Sequence, residues 1–220
     1  YGLFRSVSGG FEPVADQTGI RRASFPYGGW GTKLADLDND GWKDLFVAQG
    51  HVMDTISHDL PKVSYEQPLL LLKNEAGLFT DVSHRAGPAF PVLRASRGAA
   101  FGDYDNDGFI DIIVSNNDGP ALLLRNAASG GNWLIIELKG TISNRDAIGA
   151  TVLAVDDDGR KQWQFVSTAS SYLSASDSRV HFGLGKSRRL ASLEVHWPSG
   201  RKQILKDVAA NQVLRVTEPH

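Results

Sequence analysis

Short hydrophobic runs, separated by glycine-rich turns, dominate the pattern of this sequence. Long stretches with the 3.6-residue period of an amphipathic helix are few, whereas alternation with a period of two recurs. Leu193, Val195 and Trp197 alternate with Glu194 and His196, which predicts a strand with one buried and one solvated face. With 23 glycines available for turns, the pattern predicts an all-β protein.

The first half of the chain contains an internal repeat. Phe11 of the first unit matches Phe79 of the second, and Asp36 matches Asp103. An insertion within His51–Pro68 lengthens the first unit. The matching segments are Gly9–Ile20, Gly28–Gly50 and Leu69–Asn74 in the first unit, and Ala76–Gly87, Ser96–Gly119 and Ala121–Asn126 in the second.

Each repeat unit holds about four short β runs, and repeated units of four antiparallel strands are typical of β-propeller blades. Propellers usually contain about four to eight blades, so two blades alone would leave exposed strand edges. We therefore expect further blades upstream in a longer parent protein, or packing of these two on the C-terminal part or on another chain. In the second unit the runs are Leu78–Val82, Ala99–Asp103, Ile110–Ser115 and Ala121–Arg125.

An aspartate-rich loop occurs once in each unit, with aspartates at positions 1, 3, 5 and 9 and glycine at position 6. Alternate carboxylates in a tight turn converge on one point, and calcium accepts six to eight such oxygens. The carbonyl at position 7 is a further ligand. The predicted ligands of two Ca²⁺ sites are Asp36, Asp38, Asp40, Trp42 and Asp44 in the first loop, and Asp103, Asp105, Asp107, Phe109 and Asp111 in the second. The alternative is a pair of aspartate-rich turns without metal, because Asp, Asn and Gly also favour ordinary turns.

The spacing excludes an EF-hand, which requires a bidentate glutamate at position 12 between two helices. Position 12 is Val47 in the first loop and Val114 in the second, and hydrophobic strand-like runs surround both. Magnesium fits less well than calcium because it requires a strict octahedron and retains water. The remaining prediction is a calcium loop that joins two strands.

The second half of the chain lacks the repeat. The pattern of Asn144–Ser167 predicts two strands around an Asp158-Gly159 turn, and that of Ser192–Leu205 predicts a second hairpin. Asn211–Glu218 reads as a final strand. We therefore divide the chain into a repeat region, residues 1–130, and a small antiparallel β-sandwich or barrel, residues 131–220.

Both halves resemble known families. The repeats resemble the FG-GAP or VCBS calcium-binding propeller repeat of the integrin-α type, over Gly9–Asn126. The second half resembles the ASPIC/UnbV domain, through Asn144–Ala150 (NRDAIGA), Ser171–Gly185 and the WPSG turn of Trp197–Gly200. The combination is similar to the cartilage acidic protein-like family. This resemblance implies a secreted or cell-envelope location, and we expect a bacterial protein.

Composition narrows the function classes. The net charge of −2 gives no indication of nucleic-acid binding, and the absence of cysteine excludes disulfides and thiolate chemistry. No apolar run reaches the ~20 residues of a membrane span. The sequence contains neither a G-x-S-x-G nor an H-E-x-x-H motif, so catalysis is an open question that the sequence does not favour.

Two functions remain. The first is an extracellular binding or adhesion module with structural calcium. It predicts a flat or shallow surface and an unknown protein or glycan partner, self-association included. The second is an enzyme or enzyme subunit acting on a glycan or another extracellular substrate, which predicts a deep polar cleft between the halves lined by His, Asp or Arg. Tyr172, Arg179 and His181 form either a polar binding site or a packed strand with a solvated face.

Overall fold

The computed structural model describes residues 1–25 and 27–220, and they form an all-β protein with several antiparallel sheets. In the first half the strands are β1 (Phe4–Val7), β2 (Gly10–Pro13), β3 (Gly29–Ala35), β4 (Asp44–Gln49), β5 (Leu70–Glu75), β6 (Leu78–Asp81), β7 (Ser96–Gly102), β8 (Asp111–Asn116) and β9 (Gly119–Leu124). Two short helices, α1 (Ile20–Ser24) and α2 (Ile56–Asp59), and a 3₁₀ turn at Ser83–Arg85 lie between them.

In the second half the strands are β10 (Asn132–Lys139), β11 (Thr151–Asp156), β12 (Lys161–Phe165), β13 (Ala169–Ser171), β14 (Ser174–Ala175), β15 (Val180–Gly185), β16 (Arg189–His196), β17 (Lys202–Ala209) and β18 (Gln212–Thr217). The predicted runs therefore form strands, with ends shifted by a few residues. Residues 51–68, within which the insertion is predicted, lie between β4 and β5 and contain α2.

The repeat region consists of a β1–β2 hairpin, a four-stranded sheet in the order β3-β4-β5-β6, and a three-stranded sheet in the order β7-β8-β9. This grouping corrects the predicted repeat boundary, because β6, assigned to the second unit, is the outer strand of the first sheet. The turn Ala76-Gly77 explains the difference: both residues have positive φ (53° and 96°), and the hairpin pairs Glu75 with Leu78. The propeller class itself stays a prediction.

In the second half, the sheets β15-β10-β18 and β12-β11-β16-β17 form a sandwich around one hydrophobic core, and β13 and β14 form a separate two-stranded hairpin. Among the described residues no sheet closes into a barrel. The predicted hairpins β11–β12 and β16–β17 are confirmed. The expected all-antiparallel arrangement is wrong, because β18 pairs with β10 in parallel. Ala210 and Asn211, the latter with a φ of 59°, connect β17 in one sheet to β18 in the other.

Hydrophobic clusters lie within each half rather than across them. Phe46 and Phe101 meet edge to face, with ring centroids 5.8 Å apart, and join the two sheets of the repeat region. The sandwich core contains Phe182, Leu193 and Trp197, all buried. The boundary between residues 130 and 131 stays a prediction.

Candidate functional site

The first aspartate-rich loop connects β3 to β4, and its own amides hold its first carboxylate. The backbone turns through Asn39 (φ 61°) and Gly41 (φ 86°), which lie in the left-handed region that glycine and asparagine tolerate. Asp36 Oδ1 accepts the Asp40 amide at 3.1 Å, and Asp36 Oδ2 accepts the Gly41 amide at 2.7 Å. The loop is therefore closed around Asp36.

The second loop, between β7 and β8, repeats this arrangement. Asn106 and Gly108 have φ values of 60° and 92°. Asp103 accepts the amides of Asp107, at 3.1 Å, and Gly108, at 2.8 Å. The glycine at position 6 therefore has a positive φ in both loops, which glycine adopts without steric cost.

The aspartate at position 9 links the start of its own loop to an asparagine further along the chain. Asp44 accepts the amides of Leu37 (3.2 Å) and Asn74 (2.8 Å). In the second loop the equivalent Asp111 accepts the amides of Tyr104 (3.1 Å) and Asn126 (2.7 Å).

Three carboxylates in each loop come close enough to share one cation. The two groups are Asp36, Asp38 and Asp40, and Asp103, Asp105 and Asp111, each with oxygen atoms within 4.8 Å of one another. Oxygen ligands on opposite sides of one hard cation lie up to about 5 Å apart, so the donor type and the spacing are compatible with one metal ion in each loop. Asp44 and Asp107 lie outside these groups, and the carbonyls of Trp42 and Phe109 stay predicted ligands.

A basic side chain contacts each loop, which the sequence reasoning did not predict. Lys73 pairs with Asp38, and its Nζ lies 3.7 Å from Asp40. Arg125 occupies the equivalent place in the second loop, 2.7 Å from Asp105 and 3.1 Å from Asp107. The signal was present in the repeat, since a basic residue precedes the asparagine in both LLLLKN and ALLLRN.

Burial makes the ionised carboxylates costly. Burial, reinforced by the charges of the neighbouring aspartates, raises the pKa of Asp36 to about 7 despite the hydrogen bond from Gly41. Burial likewise raises the pKa of Asp44 to about 6 and raises the pKa values of Asp103 and Asp111. A bound cation would offset this cost.

The sandwich half contacts the first loop directly. Arg160 donates to the carbonyls of Asp40, at 3.1 Å, and Gly41, and its guanidinium lies 4.6 Å from the centroid of the Trp42 ring. A Cβ atom on Gly183 would lie 1.9 Å from Asp36 Oδ2, so only glycine allows this approach.

The second loop is held from the same side. Arg179 donates to the Asp103 carbonyl at 2.6 Å and to Asn106 Oδ1 at 2.7 Å. His181 Nε2 lies 3.1 Å from the Gly108 carbonyl. Tyr172 instead packs against Trp30, so the three residues singled out in the sequence do not converge on one point.

A cleft of about 260 Å³ lies between the halves. The cleft is open to solvent and its lining is both apolar and polar, so its position, but not its depth, agrees with the cleft expected for the second function. Arg179 and His181 line one wall, and Asp36 and Asp103 line the other. The remaining polar lining residues include Lys33, Lys43, Gln164, Ser167, Ser170 and Asp177.

Comparison with known proteins gives the second half a family. Residues 140–220 match the family model described as ASPIC and UnbV. Residues 140–220 form an ASPIC/UnbV domain. Most sandwich contacts with the loops come from this domain, namely from Arg160, Arg179, His181 and Gly183.

The chain is also homologous to cartilage acidic protein 1. It is 31% identical to the human protein over 188 residues, which cover 84% of this chain and 27% of that protein. It is 34% identical to the Xenopus tropicalis protein over 130 residues, or 56% of this chain and 20% of that protein. The chain thus spans about a quarter of the length of the curated relatives it matches. In the described residues, no helix is both long and apolar enough to cross a membrane.

The raised pKa of Asp36 predicts a pH dependence of the metal-free protein. Because the folded state binds this proton more strongly than the unfolded state, the free energy of unfolding falls as pH rises from about 4 to about 7. Asp36→Asn should flatten this fall, measured by denaturant unfolding in chelator across that range. Asp105→Asn is the contrast, because Arg125 lowers the pKa of Asp105. If wild type and Asp36→Asn have equal slopes, Asp36 is not the titrating group.

Proposed function

We propose that this chain is a calcium-stabilised extracellular binding module, located outside the cell or in the cell envelope, with no catalytic activity of its own. The observation that carries the proposal is the pair of matching loops, each of which brings three carboxylates within reach of one cation. The proposed ligands are the four aspartates of each loop together with the carbonyls of Trp42 and Phe109. Lys73 and Arg125 then partly neutralise the loops when no ion is bound.

Calcium has a structural role in this proposal. At about millimolar calcium and a Kd of about 0.1–1 mM, each site adds roughly 0.4–1.4 kcal/mol to the free energy of unfolding. Such affinity is useful outside cells and useless in a cytosol with submicromolar calcium. The extracellular or envelope location follows from this, and the lack of cysteine agrees with a bacterial origin.

The ASPIC/UnbV domain depends on the loop conformation in this proposal. Two of its arginines donate to main-chain carbonyls of the loops. Arg160 binds the first loop and Arg179 binds the second. These carbonyls are correctly placed only when the loop is closed around its first aspartate. Calcium, by closing the loops, therefore strengthens the docking of the two halves.

The repeat region is proposed to be part of a β-propeller of the FG-GAP type. Support comes from the four-stranded antiparallel sheet β3–β6 and from the partial repetition of its pattern in β7–β9. The β1–β2 hairpin resembles β5–β6, since Phe11 and Phe79 occupy equivalent strands. Further blades or a second chain would cover the open edges.

The cleft favours a second candidate, an enzyme acting on an extracellular substrate. The carboxylates that line the cleft, however, already have partners within the protein. Asp36 and Asp103 accept hydrogen bonds from loop amides, and Asp177 pairs with Arg179 at 2.6 Å. A binding cleft therefore agrees better with these contacts than a catalytic one.

Calcium should raise the melting temperature of the chain. A thermal melt in chelator and across a calcium titration tests this, with magnesium as the ion control. Asp38→Ala and Asp105→Ala should each remove about half of the calcium effect, because each destroys one site. A melting temperature that does not respond to calcium would refute the proposed metal sites.

Lys73 should compete with calcium for the first loop. Lys73→Met removes the ammonium that pairs with Asp38, so calcium affinity should rise several-fold while the metal-free protein loses stability. Lys206→Met, an exposed lysine of β17, is the matched control. Calorimetric titration measures the calcium affinity. An unchanged affinity in Lys73→Met would show that Lys73 does not compete with calcium for the first loop.

Docking and calcium binding should be coupled. Arg160→Gln removes two hydrogen bonds to the first loop and should weaken calcium binding there several-fold. Arg189→Gln removes exposed ion pairs within the same domain and should leave calcium affinity unchanged. Equal calcium affinity of the two variants would contradict the coupling.

A further inference from the structure

The two sheets of the repeat region differ by one strand. In the first sheet β5 pairs with β6, whereas β9 is the last strand of the second sheet. The repeat LLLLKN and ALLLRN makes β9 the equivalent of β5, with Leu123 in the place of Leu71. One edge of β9 therefore has no partner strand in the described part of the chain.

The open edge of β9 carries backbone groups whose equivalents are satisfied in the first sheet. The Leu71 carbonyl accepts the Val82 amide at 3.0 Å, and the Leu71 amide donates to Ser83 Oγ at 2.9 Å. Outside the β8–β9 pair, neither the amide nor the carbonyl of Leu123 has such a partner among the described residues. An extended chain laid along β9 would satisfy both groups.

Two matching glycines show where such a chain would run. A Cβ atom on Gly19 (φ 84°) would lie 2.8 Å from the Phe79 carbonyl oxygen, because β6 passes directly over this glycine. The Phe79 amide also donates to the Thr18 carbonyl at 2.9 Å. Gly87 (φ 116°) is the equivalent of Gly19, and the same position above it is open to at least 4 Å. The space over Gly87 thus matches the space that β6 fills over Gly19.

An apolar groove of about 640 Å³ lies beside Gly87. In the first unit the Phe79 ring packs on a hydrophobic cluster that includes Ile20, Leu45 and Leu72. Their counterparts in the second unit all line the groove, namely Pro88, Ile112 and Leu124. The groove is therefore the counterpart of the site that holds the Phe79 ring.

The chain contains a second strand of the β6 type. In the repeat β2 aligns with β6, with Phe11 in the place of Phe79, and the β1–β2 hairpin has the register of the β5–β6 hairpin. Phe11 is 75% exposed, and in the described residues β2 pairs only with β1. Transfer of β2 to the groove would remove this ring from water.

Charge also favours β2 as the occupant of the groove. In the first sheet Thr80 lies opposite Lys73, so β2 in the same register would place Glu12 opposite Arg125. Arg125 contacts the second loop through Nε and Nη2, which leaves Nη1 for this carboxylate. In the hairpin Glu12 pairs with Arg5 at 3.0 Å, so the transfer would replace one arginine partner by another.

The first sheet separates β2 from the groove of the same copy. Leu3, which precedes β1, packs on the face of this sheet that carries Leu45. The second sheet, with the groove, packs on the opposite face, which carries Phe46. The donor of the strand is therefore a second copy of the chain.

We propose that two copies of this chain exchange β2, each laying it along β9 of the other with Phe11 in the groove at Pro88. Reciprocal exchange closes a symmetric dimer and pairs both open β9 edges. The inference rests on the proposed propeller-type repeat, because the repeat defines where the added strand lies. It does not depend on calcium.

Sedimentation of the whole chain from about 1 to about 500 μM tests the exchange, and a dimer should form within this range. Phe11→Asp and Pro88→Asp should each raise the dimer Kd at least about tenfold, because each places a carboxylate in an apolar contact. Both residues are exposed, so the fold should survive. Phe25→Asp is the matched control, since Phe25 is 79% exposed and lies outside both strands.

Mixing the two weakened variants separates strand exchange from other surface contacts. In a mixed dimer, β2 of the Pro88→Asp copy meets the groove of the Phe11→Asp copy, so one of the two contacts is intact. The mixture should therefore dimerise more tightly than either variant alone.

Engineered disulfides locate the exchanged strand, because the chain has no cysteine of its own. Glu12→Cys mixed with Arg125→Cys places two thiols on directly opposed strand residues, within reach of a bridge. Oxidation should give a covalent heterodimer, whereas Glu12→Cys mixed with Lys206→Cys should not. In the double variant, a bridge formed within one monomer would overturn the second copy as the donor.

Three further results would overturn the proposal: a monomer at about 500 μM, a dimer insensitive to both aspartate substitutions, or no bridged heterodimer. Each variant's calcium-dependent melting temperature is measured in parallel and detects loss of the fold. A calcium response without a dimer refutes the exchange alone. A dimer with the expected sensitivities but no calcium response refutes the calcium sites and leaves the exchange standing.

Discussion

The structure depends on how buried carboxylate charge is balanced at the ends of β3 and β7. Asp36 and Asp103 are buried, and each accepts two amides from its own loop. Those hydrogen bonds favour the ionised form, but burial opposes it and raises both pKa values. Positive charge near the buried carboxylates therefore stabilises the loops. Lys73 and Arg125 supply part of it, through their pairs with Asp38 and Asp105.

The two loops lie at the junction of the two halves, so that residues of the second half contact them directly. Arg160 and Arg179 approach the loops from the sandwich, yet they bind carbonyls rather than the carboxylates of Asp36 or Asp103. The carboxylates of Asp36 and Asp103 therefore have no partner from these two arginines, and the sandwich contacts the loop backbone instead. Under the proposed function, a change of charge within a loop would alter the loop backbone and so the fit of the opposite half.

Local features of this fold were predictable, whereas contacts between distant residues were not. Strand positions, the hairpins and the positive φ of Gly41 and Gly108 follow from period and turn chemistry. The sheet to which β6 belongs and the parallel pairing of β18 depend on which edge the chain meets, which a local pattern does not encode. Arg160 and Asp40 are 120 residues apart, and the local sequence around either residue does not predict their contact.

The docking also explains residue choices that looked unmotivated in the sequence. Ser171–Gly185, the longest segment resembling the ASPIC/UnbV family, supplies Arg179, His181 and Gly183, which touch both loops. A strand that needed only to complete a sandwich would have no reason to place a glycine against a carboxylate and a neutral histidine against a loop carbonyl. The segment is therefore better understood as a surface shaped to fit two closed aspartate loops.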